Sequence, residues 1–315
     1  MNLSNQMFDV IKGNLEVLEQ GLQEAVTSTN DLVTEVGMHI VTSGGKRIRP
    51  ALCLLSARGG RAFDLPHVLP LAEALELIHT ASLVHDDVID EADTRRGAAT
   101  ANARWNNQVA ILSGDYIFAR AFTLIAEEGY DPYVSKRLAD LVCNLSVGEI
   151  IQDHAVYQAS RGMADYYERI QKKTADFLEI CCELGAMVGG MDREEMKKLA
   201  EYGHCIGMAF QITDDLLDIE QTAETIGKPA GNDIRQGIVT LPVIRALETS
   251  PDAEKLERIV TDMEMTDEMV ERALEIVKAT DGVDFARRRR TSTSRAPRQH
   301  CRKDCPTPSA KRMRW

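Results

Sequence analysis

Residues 79–97 read HTASLVHDDVIDEADTRRG, an aspartate-rich run at the end of an apolar segment. Apolar side chains recur at steps of three and four over 69–84, which predicts a helix. If that helix continues through Asp90, Asp86 and Asp90 lie one turn apart on the same face. Two such carboxylates repel each other unless a cation lies between them, and oxygen ligands on a rigid element suit Mg2+. The arginine pair 95–96 follows, and paired guanidinium groups are donors for phosphate oxygens.

The same aspartate spacing occurs a second time, in QITDDLLD, as Asp214, Asp215 and Asp218. The positions before it, 206–210, are again apolar and are predicted to be helical. One acidic run near a helix end is commonly a solvated face, but two such runs within apolar helices are poorly explained by solvation. Two facing helices with these carboxylates would hold Mg2+ ions around a diphosphate, where the ions neutralise the charge that develops as it departs.

Length and composition are those of a large globular protein. The chain has 315 residues, of which 44% are hydrophobic, enough for one large domain or two. Its 7 cysteines are scattered without zinc-site spacing, which favours reduced thiols in the cytosol. Residues 1–12 lack the apolar core of a signal peptide, and no run of eighteen apolar residues occurs. We therefore expect a cytoplasmic protein without stable membrane insertion.

The net charge of −12 is distributed unevenly. Residues 287–315 hold eleven Lys or Arg and one Asp, a net of +10, which leaves −22 on the remainder. An acidic body argues against nucleic-acid binding by the main domain. After Phe285 the apolar periodicity ends and Ser, Thr, Pro and Arg dominate, which indicates a disordered tail. Such a polybasic tail could touch anionic lipid or nucleic acid.

The rest of the chain reads as all-α, with about ten helices and short connections. No β-type alternation of useful length occurs. Helix bundles build metal sites from facing helices, as the two aspartate motifs require. The segment 43–50, SGGKRIRP, places two glycines beside three cations, which suits either a backbone that approaches a ligand or a plain surface turn. Further helices are predicted over 3–43 (two), 51–60, 109–127, 131–157, 166–189, 193–219 and 252–280.

Six motifs in the same order resemble the all-trans polyprenyl diphosphate synthases that make medium- and long-chain isoprenoid quinone side chains. They are the two aspartate motifs, GGKRIRP at 44–50, RRG at 95–97, QKKTA at 171–175 and GKPAGNDIRQG at 227–237. The resemblance covers roughly residues 5–286. It implies a polyprenyl synthase domain over 1–286, a single-domain helical bundle of the isoprenoid-synthase type around a central cavity. Relatives usually continue with another helix, so we interpret the basic tail 287–315 as the product of a late frame change.

The resemblance also implies a reaction, the Mg2+-dependent condensation of an allylic diphosphate with isopentenyl diphosphate. Ionisation would draw off the allylic diphosphate, the isopentenyl double bond would attack the cation, and apolar walls would exclude water. The expected catalytic residues are Asp86, Asp90, Asp214, Lys173 and Lys228. The resemblance also implies about three Mg2+ ions per site, whose expected ligands are Asp86, Asp87, Asp90, Asp214, Asp215 and Asp218.

Two diphosphate sites follow from the same resemblance. The matching residues for isopentenyl diphosphate are Gly45, Lys46, Arg49, His79 and Arg96. Those for the allylic diphosphate are Arg95, Lys173, Thr174, Gln211 and Lys228. From the residues alone, a lysine pair is ordinarily a solvated face and a lone histidine ordinarily belongs to the core. One position departs from the family, because many relatives carry lysine where this chain has Ile238.

The product is expected to be long, about C30 to C40, because the residues one turn before Asp86 are small. These chain-length residues are Ala81 and Ser82, where relatives that stop at C15 often place an aromatic ring. A homodimer is expected from the family, with or without a small second subunit. The alternatives are a short-chain farnesyl or geranylgeranyl diphosphate synthase, a class I terpene cyclase and a non-catalytic partner subunit. A cyclase needs no second diphosphate site, and a non-catalytic subunit should have lost the carboxylates.

Overall fold

The computed structural model describes residues 9–220 and 230–295, the side chains of 294 and 295 excepted. Nearly all of this part of the chain is helical, and the prediction of an all-α fold is confirmed. The helices are α1 Lys12–Ala25, α2 Asp31–Thr42, α3 Ile48–Arg58, α4 Leu65–Ile89, α5 Ala101–Arg104, α6 Asn107–Glu128, α7 Pro132–Asp153, α8 Met163–Ile170, α9 Asp176–Val188, α10 Arg193–Glu220, α11 Asn232–Arg235, α12 Leu241–Thr249, α13 Ala253–Val260, α14 Asp267–Lys278 and α15 Gly282–Arg295.

The chain divides into two compact units. Unit 1 comprises residues 1–143 and 178–203, and unit 2 comprises residues 144–177 and 204–315. The single polyprenyl synthase domain expected over 1–286 stays a prediction.

Unit 1 is organised around α4, which is buried on almost every side. Leu71, Leu75 and Ile78 are fully buried, as expected for a helix that is apolar all round and surrounded by neighbours. One close neighbour is α6, where a Cβ at Gly114 would lie 2.3 Å from Nε2 of His85. Within the described residues, α6 alone has the length and composition to cross a membrane, and 33% of its most apolar window is buried.

The first aspartate motif lies at the C-terminal end of α4. The helix ends at Ile89, and Asp90 still donates its backbone N–H to the carbonyl of Asp86 at 2.8 Å. Asp86 and Asp90 are therefore one turn apart, and this prediction is confirmed.

A small β-hairpin follows α4, although the sequence predicted no strands. Strand β1, Thr94–Arg95, pairs antiparallel with β2, Ala98–Ala99. The two turn residues, Arg96 and Gly97, have φ of 53° and 81°. Positive φ at both central residues is typical of a tight hairpin turn, but Asn-Gly or Asp-Gly is its usual sequence signal. Arg-Gly gave no such signal, so the hairpin was missed.

Unit 2 contains a π-helical segment where the sequence predicted one continuous helix over 166–189. The segment is Gln171–Ala175, between α8 and α9, and the N–H of Asp176 bonds the carbonyl of Gln171, five residues back. It packs against α10 at a bare backbone position, since a Cβ at Gly207 would lie 2.4 Å from Cα of Ala175. The apolar core around it is formed by residues of α8 and α10 to α15.

The C-terminal helix α15 runs past the predicted start of disorder at residue 287. It continues through Arg295, so the prediction of disorder is wrong for 287–295. Ala286 is fully buried, and Arg287 pairs with Glu220 at 2.5 Å, so packing and ion pairs stabilise a helix that the composition disfavoured. The rest of the predicted tail, 296–315, lies outside the described residues.

Candidate active site

In the first aspartate motif the three carboxylates have different surroundings. Asp87 is buried, and its Oδ1 accepts a hydrogen bond from Nε of Arg95 at 2.6 Å. Burial raises the pKa of Asp87, and the Arg95 guanidinium opposes that rise. Asp86 is half-buried and Asp90 is exposed. The middle aspartate is thus the buried carboxylate of the motif, while Asp86 and Asp90 retain access to solvent.

The cations of the SGGKRIRP segment have separate roles. Arg47 is buried and forms ion pairs with Glu19 at 2.6 Å and with Glu76 at 2.8 Å. It also donates to the carbonyl of Val41, so it belongs to the fold of unit 1. Lys46, next to it, is exposed. The assignment of Lys46 to the isopentenyl diphosphate site stays a prediction.

Four of the residues predicted to bind isopentenyl diphosphate lie close together. Nη1 of Arg49 lies 3.0 Å from Nε2 of His79, and because a guanidinium only donates, Nε2 is the acceptor. Burial and then the charges of Arg49 and Arg96 hold the pKa of His79 well below its usual range, so the ring is neutral. Nη1 of Arg96 donates to the carbonyl of Gly44 and would lie 2.7 Å from a Cβ at Gly45.

Arg96 holds a backbone conformation that costs energy. Its φ of 53° lies in the left-handed region, which costs a residue with a side chain about 1–2 kcal/mol. Such strain clusters at functional sites. The hairpin turn thereby places one guanidinium over the glycine loop, while the preceding Arg95 reaches Asp87.

The second aspartate motif lies in unit 2, and its middle carboxylate is again buried. Asp214 is exposed, whereas Asp215 is buried and accepts hydrogen bonds from the hydroxyl of Tyr166 at 2.6 Å and from Nε2 of Gln211 at 3.1 Å. Burial raises the pKa of Asp215 to about 6, although both hydrogen bonds oppose the rise. Asp218 accepts two backbone N–H groups, from Asn232 and from the residue after it, at 3.0 and 3.1 Å.

Two residues of this cluster were missed by sequence reasoning. Asp233 lies near Asp214, Asp215 and Asp218, and burial followed by their negative charges raises its pKa to about 7. It stands within GKPAGNDIRQG, so a signal was present in the sequence. Tyr166 had none, because its role depends on a contact with a residue 49 positions away.

The π-helical segment directs neighbouring side chains to two different helices. Nζ of Lys173 lies 2.8 Å from Oε1 of Glu149 and 3.3 Å from Oε1 of Gln152, both on α7. The hydroxyl of Thr174 donates to Oε1 of Gln211 on α10 at 3.0 Å. The structure thus joins Thr174 and Gln211, two predicted allylic-site residues, in one chain of hydrogen bonds to Asp215. The remaining predicted ligand, Lys228, lies outside the described residues.

The predicted chain-length residues lie on α4. Ala81 is fully buried. Ser82 is half-buried, and its hydroxyl donates to the carbonyl of His79 at 2.9 Å. Farther toward the N-terminus of the helix, Leu77 and Ile78 are fully buried.

Unit 1 therefore offers guanidinium groups and a glycine backbone, which are donors for phosphate oxygens. Each unit also carries carboxylates, which are ligands for hard divalent cations. Each of these groups suits chemistry on a diphosphate.

Comparisons with known proteins agree with this chemistry. Residues 30–277 match the polyprenyl synthetase family. The chain is 41% identical over 280 residues, 88% of its length and 86% of the relative's, to heptaprenyl diphosphate synthase component 2 of Geobacillus stearothermophilus. It is 35% identical to octaprenyl diphosphate synthase of Escherichia coli, with 89% and 85% of the chains covered.

A solved structure is similar as well. It is a polyprenyl synthase from Caulobacter crescentus in complex with calcium and isoprenyl diphosphate. The TM-score is 0.84 at 32% identity, over 92% of this chain and 88% of the other. The chain belongs to the polyprenyl synthetase family and is a prenyl-transferring enzyme.

Proposed function

We propose that the protein condenses an allylic diphosphate with successive molecules of isopentenyl diphosphate and releases a polyprenyl diphosphate of about C30 to C40. The observation that carries the proposal is the cluster of Arg49, His79 and Arg96 at the glycine loop, since a cyclase needs no such second diphosphate site. Relatives named for heptaprenyl and octaprenyl products support the length.

The carboxylates fit divalent cations, and we propose Mg2+ because it shares its coordination among carboxylates and phosphates. The family resemblance supports about three ions per site. The donors are oxygens only, and Asp86, Asp90 and Asp214 keep access to solvent. The calcium bound by the Caulobacter protein supports a divalent ion here. When bound, such an ion stabilises the negative charge on the departing allylic diphosphate.

The side chains of this enzyme then have the following roles. Arg49 and Arg96 hold the diphosphate of isopentenyl diphosphate, and the neutral His79 keeps the Arg49 guanidinium in place. Arg95 keeps Asp87 in position, as Tyr166 does for Asp215.

The allylic diphosphate is bound by Lys173, Thr174 and Gln211, with Lys228 as a further ligand. The ion pair of Lys173 with Glu149 and the hydrogen bond between Thr174 and Gln211 orient these groups before substrate arrives. A bound allylic diphosphate would replace Glu149 as the partner of the Lys173 ammonium.

The test is turnover of farnesyl and isopentenyl diphosphates with Mg2+, with chromatography of the products. Asp86→Ala and Asp214→Ala should each lower kcat by about 10²–10³-fold, because charge stabilisation in the transition state is lost. Both variants should keep the wild-type circular dichroism spectrum and melting temperature. Glu264→Ala, an exposed acid remote in sequence from both motifs, is the control. Full turnover by either aspartate variant would refute the assignment.

We propose further that the enzyme is a homodimer. A second, smaller subunit is a separate proposal for the same enzyme. The word "component" in the name of the Geobacillus relative supports a second subunit. Light scattering of the purified chain measures the first point, and a monomer mass would contradict it. We also propose that 287–315 arose by a frame change, which sequencing the gene from its source would test.

A further inference from the structure

The third aspartates of the two motifs are equivalent in sequence but not in structure. Asp90 directly follows Ile89, the last residue of α4, and its side chain is exposed. Asp218 is half-buried, and both of its carboxylate oxygens accept backbone N–H groups. Oδ1 accepts from Asn232 at 3.0 Å and Oδ2 accepts from Asp233 at 3.1 Å. The last carboxylate of the D-D-x-x-D motif therefore has different surroundings in the two copies: it is exposed at Asp90 and bonded to the backbone at Asp218.

Asp218 makes three hydrogen bonds to one short piece of chain. Its own backbone carbonyl accepts the N–H of Gly231 at 2.9 Å, in addition to the two bonds to its side chain. Hydrogen bonds from backbone N–H groups to a carboxylate are charge-assisted, and such bonds are about twice as strong as neutral ones. Asp218 on α10 thus fixes the position of the backbone at residues 231–233.

The returning segment is also held from its other side. Gly231 has a φ of +75°, and a Cβ there would lie 2.8 Å from Cγ1 of Val270 and 3.1 Å from Cδ1 of Leu274, both on α14. Ile234 is almost completely buried in the same core. Residues 231–234 therefore have one place in unit 2, between Asp218 and the apolar face of α14.

This placement brings a fourth carboxylate to the second motif. The backbone N–H of Asp233 lies 3.1 Å from Oδ2 of Asp218, which places residue 233 directly beside the motif. Like charges push such a group outward. The two N–H bonds to Asp218 act against that repulsion, because one of them is made by the backbone of Asp233 itself.

We propose that Asp218 is a positioning residue of the prenyl-transfer reaction, which holds Asn232 and Asp233 by their backbone so that Asp233 stays beside the second motif. Asp218 does not act as a metal ligand, in contrast to Asp214. The inference rests on the proposed function for the reaction, but the contact on which it depends can be measured without substrate or metal.

The first measurement is site-resolved hydrogen exchange on the metal-free enzyme. In Asp218→Ala the amides of Asn232 and Asp233 should exchange at least tenfold faster than in the wild type. Asp218→Asn keeps one carbonyl oxygen, so one of these two amides should stay protected. The control is Asp214→Ala, four residues earlier on the same helix, which should leave both amides unchanged. Wild-type exchange at both amides in Asp218→Ala would overturn the proposal.

The second measurement separates positioning from metal binding. In Asp218→Asn, kcat should fall while the Mg2+ concentration for half-maximal rate stays within twofold of the wild type. In Asp214→Asn that concentration should rise at least tenfold. An equal rise in both variants would overturn the proposal. If Asp218→Ala does not fold, Asp218→Asn carries both measurements. If the wild type transfers no prenyl group, the proposed function fails, while the exchange result still decides the contact.

Discussion

Asp87 and Asp215 occupy the same place in their motifs, and each is buried and bonded to the protein. Arg95 engages the first, and Tyr166 and Gln211 engage the second. Spacing on a helix predicted where these carboxylates would lie. It did not predict their partners, since the Arg95 contact depends on the hairpin after α4 and the Tyr166 contact joins distant helices. The first carboxylate of each motif is less buried: Asp86 is half-buried and Asp214 is exposed.

Arg49 and Lys173 should separate the two substrates kinetically. Loss of a charged hydrogen bond costs roughly 1.5–3 kcal/mol, or about ten- to a hundredfold in the matching constant. Arg49→Ala should raise KM for isopentenyl diphosphate by that factor and leave the allylic KM nearly unchanged. Lys173→Ala should do the reverse. Steady-state kinetics with each substrate varied in turn measures both, and equal effects on the two substrates would contradict the assignment of separate sites.

Glu73 should make the stability of the protein depend on pH. Its carboxyl is buried on α4 against the bare backbone of Gly21, and burial, followed by the charge of Glu24, raises its pKa to about 7 from an ordinary 4.5. An unfolded chain ionises near 4.5, so Glu73 destabilises the fold progressively as pH rises from about 4.5 to about 7. The effect is bounded at about 3 kcal/mol, at 1.36 kcal/mol for each unit of pKa difference.

The measurement is the difference in unfolding free energy between Glu73→Gln and the wild type, from urea titrations at pH 5 and pH 8. Glu73→Gln should be more stable than the wild type at pH 8, with most of that gain absent at pH 5. The pKa of His79 is lowered, so this residue destabilises the fold as pH falls rather than as pH rises. Both proteins contain His79, and its contribution cancels in the difference between their unfolding free energies. A constant difference across this range would contradict the prediction.

At the scale of elements, the π-helical segment shows where sequence patterns stop being informative. The apolar pattern over 166–189 predicted one helix, and helical backbone is present throughout that range up to residue 188. Five residues are too few to distinguish a wider turn from the ordinary 3.6-residue period. Yet the wider turn decides which way Lys173 and Thr174 point, one toward α7 and the other toward α10. The helix was predictable, but the direction of its functional side chains was not.

The close packing at this segment leads to a prediction for α10. In Gly207→Ala the new methyl group would lie 2.4 Å from Cα of Ala175, so backbone must move. Overpacking of this kind costs about 1–3 kcal/mol. The control is Gly13→Ala in α1, where no atom lies within 4 Å and alanine favours the helix. Urea titration should show Gly207→Ala destabilised and Gly13→Ala unchanged or stabilised, and equal stability of the two variants would contradict this packing argument.

At the scale of the whole molecule, motif order alone indicated the family, and the helices followed from apolar periodicity. The division into two units and the helical state of 287–295 did not follow, because both depend on tertiary packing. Composition argued for disorder after Phe285. In the structure the ring of Phe285 lies 5.2 Å from the guanidinium carbon of Arg245 and 5.2 Å from that of Arg289. The guanidinium groups of Arg245 and Arg289 thus stack on the Phe285 ring, and this cation–π contact stabilises the polar helix α15.

Product length is the property of the whole enzyme that α4 should control. Ala81 is fully buried one turn before the first motif, and Ala74 is fully buried two turns farther along the same face. If the growing chain runs along α4 away from Asp86, an aromatic ring stops it wherever the ring is placed. Ala81→Phe should then give a product shorter than the wild type, and Ala74→Phe one of intermediate length, as a ring farther from the motif stops the chain later.

Chromatography of products from farnesyl and isopentenyl diphosphates measures this order. Melting temperatures of both variants serve as the control for overpacking, which costs about 1–3 kcal/mol in a buried site. A folded variant with slow turnover but unchanged length would show that position 81 affects rate alone. The pocket assignment is wrong if the wild type releases mainly C15 or C20 chains. It is also wrong if Ala81→Phe leaves the product length unchanged. A ring at position 81 would shorten the product if that position lined the channel.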